Sequence, residues 1–233
     1  MRHPLSAVCG LWIVLASGAA AEQASAPVVV EFYTSQGCSS CPPADAFFAT
    51  LVRQPGVIPL ALHVDYWDYI GWKDRFASPA FTERQKAYAR AAKSRTIYTP
   101  QMIVNGDARV EGNDAAAVAA AISAAKPGPG RIDLTREGGH LRIRAEAPLE
   151  ADGGTISLQL VRYRPEETVE IAHGENAGQV VSYHNIVTEW TRLAEWPGQP
   201  PLEIEVPEGD GGPAVVLVQR AGPGAILAAV EVK

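Results

Sequence analysis

Residues 28–45 read VVVEFYTSQGCSSCPPAD, and this stretch decides the fold of the first half of the chain. Its short apolar run predicts a buried strand over 28–33. Cys38 and Cys41 follow with two residues between them, a spacing that brings both sulfurs within disulfide reach on one helical turn. Phe47, Phe48 and Leu51 then recur at helical spacing and predict a helix over 45–52. We therefore expect a strand, a cysteine pair and a helix in direct succession.

A cysteine pair at the start of a helix is suited to thiol–disulfide exchange. The unpaired N–H groups and partial positive charge of a helix N-terminus favour a thiolate over a thiol. We expect Cys38, as the more exposed cysteine, to attack a substrate disulfide and Cys41 to resolve the mixed disulfide. Two alternatives stay open. The pair binds a soft ion such as Cu(I), with His63 as the nearby candidate for a third ligand, or it forms a structural disulfide in a non-catalytic binding module.

Strand and helix signals alternate along the rest of the first half. Ser78-Pro79 is typical of a helix start, with Pro at the first helical position. Asn113 is the expected N-cap of an alanine-rich helix that runs to Ala125. Besides the elements above, the patterns predict strands over 57–64, 101–104 and 108–111 and a helix over 80–94. The order β-α-β-α-β-β-α indicates an α/β fold with a central sheet and helices on its faces.

Two segments of the first half carry a family resemblance. The first is VEFY at 30–33 followed by GCSSC at 37–41, and the second is IYTPQMIVNG at 97–106. Together they resemble the thioredoxin superfamily, over about residues 27–125. The second segment looks like the part of periplasmic disulfide oxidoreductases that carries a cis-proline. The resemblance implies that Pro100 is this cis-proline, facing the cysteines, and that Thr99 offers its backbone to a bound peptide.

Three further residues are candidates for the site. Glu31 lies roughly where thioredoxins carry a buried acid that moves a proton to or from the second cysteine, although it is one residue farther from the first cysteine. A strand-end carboxylate that faces solvent is the alternative. We predict that Tyr98 and Trp67 contact substrate beside Thr99. Trp67 belongs to the aromatic stretch 63–74, which follows the carboxyl end of a strand, where α/β proteins place their sites. Covering the core beside the site is the alternative role for this stretch.

The second half has a different pattern. Residues 126–130, KPGPG, predict a linker between a domain at 27–125 and a domain at 131–233. Apolar and polar residues alternate in several short segments beyond it, which predicts an antiparallel, β-sandwich-like domain. Its polar residues around 174–185 predict a turn held by side-chain hydrogen bonds.

The whole chain resembles a family of secreted bacterial proteins with a thioredoxin-like domain and no assigned function. The likeness rests on residues 32–45 and on Gly174-Glu175-Asn176 and Tyr183-His184-Asn185. It implies the fold and the compartment, and it leaves the substrate open.

The N-terminal residues predict export. A basic start, an apolar run and a small-residue site ending at Ala21 make residues 1–21 a predicted signal peptide. We expect a secreted or periplasmic protein without a membrane span after cleavage, in a compartment where a disulfide persists. Composition agrees with a globular protein, since 47% of residues are hydrophobic and the net charge of −6 argues against nucleic-acid binding. The expected partners are a protein or small-molecule thiol or disulfide and a redox partner protein, with no cofactor and no resident metal.

Overall fold

The structure, a computed structural model, describes residues 26–149 and 154–232, so the predicted signal peptide lies outside the described residues. Its helices are α1 (Pro42–Leu51), α2 (Pro79–Ala91) and α3 (Ala115–Ala124), with a short 3-10 helix at Asp68–Ile70. Its strands are β1 (Val28–Thr34), β2 (Val57–His63), β3 (Gln101–Val104), β4 (Ala108–Glu111), β5 (Arg131–Glu137), β6 (His140–Glu146), β7 (Ile156–Glu170), β8 (Val180–Trp196), β9 (Leu202–Pro207), β10 (Ala214–Arg220) and β11 (Ile226–Val232). No helix within these ranges has the length and apolar character needed to cross a membrane.

The strands form one large mixed sheet and one small antiparallel sheet. The large sheet has eight strands in the order β11-β10-β7-β8-β2-β1-β3-β4, and the small one has three in the order β5-β6-β9. β1 runs parallel to β2 and antiparallel to β3. The α/β class predicted from the sequence is confirmed.

Alternation along β1 divides the core into two layers. Val30 and Phe32 face α1 and α3, and the ring of Phe32 lies 4.9 Å from that of Phe48 on α1. Val29 and Tyr33 face the opposite side, where α2 packs. Successive side chains of a strand point to opposite faces, so the position of each β1 residue decides which helix it meets.

In the second half, which was predicted to be an antiparallel, β-sandwich-like domain, four strands continue the sheet of the first half. β8 joins β2 through the pair Ala61–Ile186, and the Nδ2 group of Asn185 donates to the carbonyl of Pro59 at 2.8 Å. Every residue of β2 is buried, and such a strand needs a partner on both edges. The small sheet packs its apolar face, including Leu141 and Ile143, onto β7 and β10.

The predicted linker lies against β11. The backbone N–H of Gly130 donates to the carbonyl of Leu227 at 2.9 Å. A Cβ atom at Gly128 would lie 2.1 Å from the same carbonyl oxygen, so only glycine fits there. The domain boundary at 126–130 stays a prediction.

β7 and β8 form the longest hairpin, and its tip reaches the cysteine loop. Each strand is at least 15 residues long, against the 5 or 6 residues typical of a strand. We call residues 171–179 the hairpin tip. It lies beside residues 36–38, the loop between β1 and α1.

Candidate functional site

The two cysteines form a disulfide at the start of α1. Their Cα atoms are 5.4 Å apart. Cys41 is the N-cap, with helical backbone angles, and Pro42 is the first residue of the helix. The N–H of Asp45 donates to the carbonyl of Cys41 at 3.0 Å, which closes the first turn. A disulfide between them is compatible with an oxidising compartment.

Both cysteines are covered. The exposed fraction is 1% for Cys38 and 0% for Cys41, so both cysteines are buried and Cys38 is the more exposed one only by this small margin. Neighbouring segments enclose the loop. A Cβ atom at Gly37 would lie 3.1 Å from the Cβ atom of Trp67, and Asn176 of the hairpin tip hydrogen-bonds the loop's backbone. Sequence patterns give no warning of this covering, because it comes from residues distant in the chain.

Thr99 and Pro100 lie beside the cysteine loop, and the bond between them is cis. The hydroxyl of Ser40 lies 3.4 Å from the sulfur of Cys38 and donates to the carbonyl of Thr99 at 3.5 Å. The indole N–H of Trp67 donates to the hydroxyl of Thr99 at 2.8 Å. The structure therefore brings Thr99, Pro100 and Trp67 together around the disulfide.

Tyr98 is tied to α2 through its backbone. Its carbonyl accepts a hydrogen bond of 2.8 Å from the side-chain amide of Gln85, which also donates to Gln101 at 3.0 Å. The Oε1 atom of Gln85 accepts from the hydroxyl of Tyr66 at 3.2 Å. Gln85 thus fixes the segment that leads into the cis bond, and sequence reasoning missed it.

Glu31 is not brought to the cysteines. Its carboxylate accepts two hydrogen bonds of 2.7 Å from Arg84 of α2, and further ones from Tyr88 at 2.6 Å and Tyr33 at 2.9 Å. Burial would lower the pKa of Arg84, but the Glu31 carboxylate holds it above its ordinary value. Because adjacent strand residues face opposite sides and Val30 and Phe32 face α1, Glu31 points away from α1. It forms a buried ion pair between β1 and α2.

The buried acid on the cysteine side is Asp45. It lies four residues after Cys41, so the two side chains share one face of the first turn. Its Oδ1 atom accepts from the hydroxyl of Thr34 at 3.0 Å, whereas its buried Oδ2 atom has no hydrogen-bond partner among the described residues. Burial raises the pKa of Asp45 to about 7, although His63 and Thr34 partly oppose the shift. Its position at i+4 from a cysteine was the sequence signal that could have found it.

A His–Asp pair lies at the same end of the sheet. The Nδ1 atom of His63 is 2.7 Å from the Oδ2 atom of Asp74, and both side chains are fully buried. Burial alone would raise the pKa of Asp74, but His63 and the backbone N–H groups of Gln36 and Phe76 lower it below its ordinary value. The Nε2 atom of His63 has no hydrogen-bond partner in the described part of the chain. We call Asp45, His63 and Asp74 the buried polar cluster.

Across residues 26–149 and 154–232, no three His, Cys, Asp or Glu side chains are grouped as they would be to hold a metal ion. The Cu(I) alternative, which needs only the two reduced cysteines, stays a prediction.

The hairpin tip connects the second half to the site. The Nδ2 group of Asn176 donates to the carbonyls of Gln36 and Cys38, each at 2.9 Å. Its Oδ1 atom accepts from the amide of Gln179 at 3.2 Å within the tip. Side-chain hydrogen bonds do hold this turn, and they also bind it to the cysteine loop.

Tyr183 and His184 of β8 contact the neighbouring strands. The ring of Tyr183 packs edge-on against His63, with 5.0 Å between ring centroids. The imidazole of His184 is 19% exposed and lies 3.9 Å from the carboxylate of Glu166. These residues connect β8 to β2 and β7 and lie apart from the disulfide.

Over most of its length the chain is similar to a protein family and to solved structures. The family described as "Protein of unknown function (DUF1223)" matches residues 29–219. The crystal structure of a structural-genomics protein from Agrobacterium tumefaciens is similar with a TM-score of 0.77 and 31% sequence identity, over 90% of this chain and 95% of that one. HBP35 of Porphyromonas gingivalis is similar in fold alone, with a TM-score of 0.59 and 14% identity, over 89% of this chain and 75% of that one. No curated protein sequence matches significantly.

Proposed function

The chain belongs to the family of proteins of unknown function DUF1223, and we propose that it is a secreted or periplasmic thiol–disulfide oxidoreductase that acts through Cys38 and Cys41. The first half supports this proposal, because its cysteine pair lies between β1 and α1, in the succession of strand, cysteines and helix on which the resemblance to the thioredoxin superfamily rests.

The chemistry needs no cofactor. In the reduced protein, the thiolate of Cys38 attacks a substrate disulfide, which breaks the substrate S–S bond and releases one substrate sulfur as a thiolate. The thiolate of Cys41 then attacks the mixed disulfide, so that the Cys38–Cys41 bond forms and the second substrate thiolate leaves. The substrate gains two electrons and the protein loses two, which a partner dithiol restores. In the opposite direction the same steps oxidise a substrate dithiol.

The single observation that carries the proposal is a buried carboxyl, that of Asp45, in the first turn of α1 four residues after Cys41. Cys41 must lose a proton before it attacks and regain one when it leaves. A general base is most effective when its pKa lies near the working pH, and burial raises the pKa of Asp45 to about 7. Its Oδ2 atom has no hydrogen-bond partner among the described residues, so this atom is suited to accept the proton of Cys41. We assign to Asp45 the proton-transfer role that the sequence suggested for Glu31.

The remaining residues serve binding. Thr99 and Pro100 form the wall next to the cysteines, and Trp67 holds the Thr99 hydroxyl at 2.8 Å. A substrate peptide that runs beside this wall would present its sulfur to Cys38. Tyr98 supports the wall through its backbone bond to Gln85.

Disulfide turnover tests the proposal. The reduction of insulin by dithiothreitol and the reoxidation of reduced ribonuclease are followed with the mature protein, the Cys38→Ser variant and a control Ser39→Ala, which alters an exposed neighbour. We expect acceleration of at least one reaction by the wild type and the control, and none by Cys38→Ser. The Cys41→Ser variant should accumulate a mixed disulfide with substrate. Equal rates with wild type and Cys38→Ser would contradict the proposal.

A second candidate, a non-catalytic binding module with a structural disulfide, is favoured by the burial of both sulfurs. It predicts that the wild type gives no turnover and that loss of the disulfide lowers stability. The turnover assay separates the two candidates directly.

A further inference from the structure

We propose that the hairpin tip, residues 171–179, is a cover over the cysteine pair that Asn176 holds closed, and that it opens before Cys38 exchanges. The inference deepens the proposed function and rests on it for its biological meaning. The accessibility of the disulfide to a small thiol can be measured whether or not the protein is an oxidoreductase.

We call Asn176 the latch residue, because its side chain joins the hairpin tip to the cysteine loop by hydrogen bonds. The side chain is 2% exposed, in a tip whose other residues are mostly exposed. Its Nδ2 group donates to two backbone carbonyls of the cysteine loop, those of Gln36 and Cys38, at 2.9 Å each. A side chain that only stabilised its own turn would have no need of partners 138 and 140 residues away in the chain.

The tip also fits closely against the segment behind the loop. Gly174 has a φ of +81°, and a Cβ atom there would lie 3.2 Å from the Cβ atom of Trp72 and 3.5 Å from the carbonyl of Ile70. The indole N–H of Trp72 in turn donates to Gln36 at 2.8 Å. The tip therefore packs against the cysteine loop and the segment behind it, and Trp67 packs against the same loop at Gly37.

The cover has to open because a thiolate must reach the sulfur it attacks. Cys38 is 1% exposed, although Ser39 and Ser40 beside it are exposed. The tip ends a hairpin and its residues are mostly solvent-exposed, the kind of segment that opens locally at low cost. The measured rate of exchange is then the intrinsic rate multiplied by the open fraction, so any change that weakens the latch speeds exchange by the same factor.

The test compares the rate at which dithiothreitol reduces the disulfide of the wild type with the rate for each variant. A dithiothreitol thiolate attacks the Cys38 sulfur, the Cys38–Cys41 bond breaks and Cys41 leaves as a thiolate. The second dithiothreitol thiol then releases Cys38 and closes its own disulfide ring, so two electrons pass to the protein. Samples are quenched with an alkylating reagent and the mass shift is followed in time.

Asn176→Asp keeps the shape of the side chain and removes both donors to the loop. Because both hydrogen bonds to the loop are lost, we expect reduction about 30-fold faster, which corresponds to about 2 kcal/mol at 1.4 kcal/mol per tenfold. Ala177→Asp, which adds the same charge at an exposed position of the tip, is the matched control and should leave the rate within twofold. A core variant far from the tip, Leu141→Ala, shows whether general destabilisation alone speeds reduction, and we expect that it does not.

Gly174→Ala keeps the inference testable if Asn176→Asp fails to fold. It strains the tip at a positive φ and leaves the latch residue in place, so we expect reduction about tenfold faster. Rates unchanged in both variants, with near-ultraviolet circular dichroism showing that they are folded, would overturn the cover. Its failure differs from failure of the proposed function. If the wild type gives no turnover but the Asn176→Asp variant is still reduced faster than the wild type, the oxidoreductase proposal is refuted and the cover is retained.

Discussion

Replacing Asp45 by Asn should stabilise the protein in a strongly pH-dependent way. Burial raises the pKa of this carboxyl to about 7 from an ordinary 3.8. The folded state therefore holds a proton that the unfolded state has lost between these two values. The stability linked to this proton is fully present below about pH 4 and is lost as the pH rises through 7, by at most about 4 kcal/mol at 1.36 kcal/mol per pH unit. Asn is neutral throughout and keeps the acceptor for Thr34.

The assay is urea unfolding of both proteins in the oxidised state at pH 4, 6 and 8. We expect nearly equal free energies of unfolding at pH 4 and an advantage of about 2–4 kcal/mol for Asp45→Asn at pH 8. Asp107→Asn, at an exposed carboxylate, controls for the loss of a charge and should show no such trend. A difference that stays constant from pH 4 to 8 would refute the buried, proton-binding Asp45 on which the proposed mechanism rests. In the reduced protein the same variant should slow turnover, since Cys41 loses its proton acceptor.

Three other substitutions test the fold. Arg84→Met leaves the Glu31 carboxylate buried without its cation and should lower the free energy of unfolding by about 3–5 kcal/mol in urea titrations. Phe48→Ala removes a ring from the α1–sheet core and should cost about 3–5 kcal/mol, seen as an earlier urea midpoint with an unchanged slope. Gly106→Ala places a Cβ atom 2.3 Å from the carbonyl of Gly224 at a φ of +75°. The free energy of unfolding should therefore fall by about 2 kcal/mol or more, seen as a lower melting temperature, and an unshifted melting curve would contradict the close approach.

The site elements of the first half could be predicted because each has a local signal. A β-branched run marks β1, Ser78 caps α2 through a 3.3 Å bond from the Ala80 N–H, and Asn105-Gly106 turns β3 into β4. The N-cap of α3 was displaced by one residue. Asp114 accepts from the Ala117 N–H at 2.8 Å, while Asn113 instead donates to the carbonyl of Ser40 at 2.9 Å. A short polar side chain at a helix start suits either role, and tertiary contacts decide between them.

The β7–β8 hairpin could not be predicted at its full length. Pro165 and a run of charged residues interrupt the alternation in β7, and the register of the two strands shifts at Arg162/Tyr163. A bulge reverses which residues face the core, so a period-two pattern breaks although the strand continues. The latch role that we propose for Asn176 depends on this hairpin and therefore could not be predicted from the sequence.

Glu31 and Asp45 show that a sequence motif alone does not identify the acidic residue of the site. An acid at about the right distance from the cysteines was visible in β1, but one residue of offset decides between the α1 and α2 faces of the sheet. The acid that does share a face with Cys41 belongs to the helix. Only the fold reveals that Glu31 pairs with Arg84 of α2 and that Asp45 is buried in the turn after Cys41.

The reduction potential of the Cys38–Cys41 pair tests the central claim most directly. The mature protein is equilibrated with glutathione buffers of known potential, and the fraction of disulfide is read by alkylation and mass. The proposed oxidoreductase predicts a potential between about −120 and −270 mV, the range of known thiol–disulfide catalysts. A value below about −300 mV is that of a structural disulfide and would contradict the account.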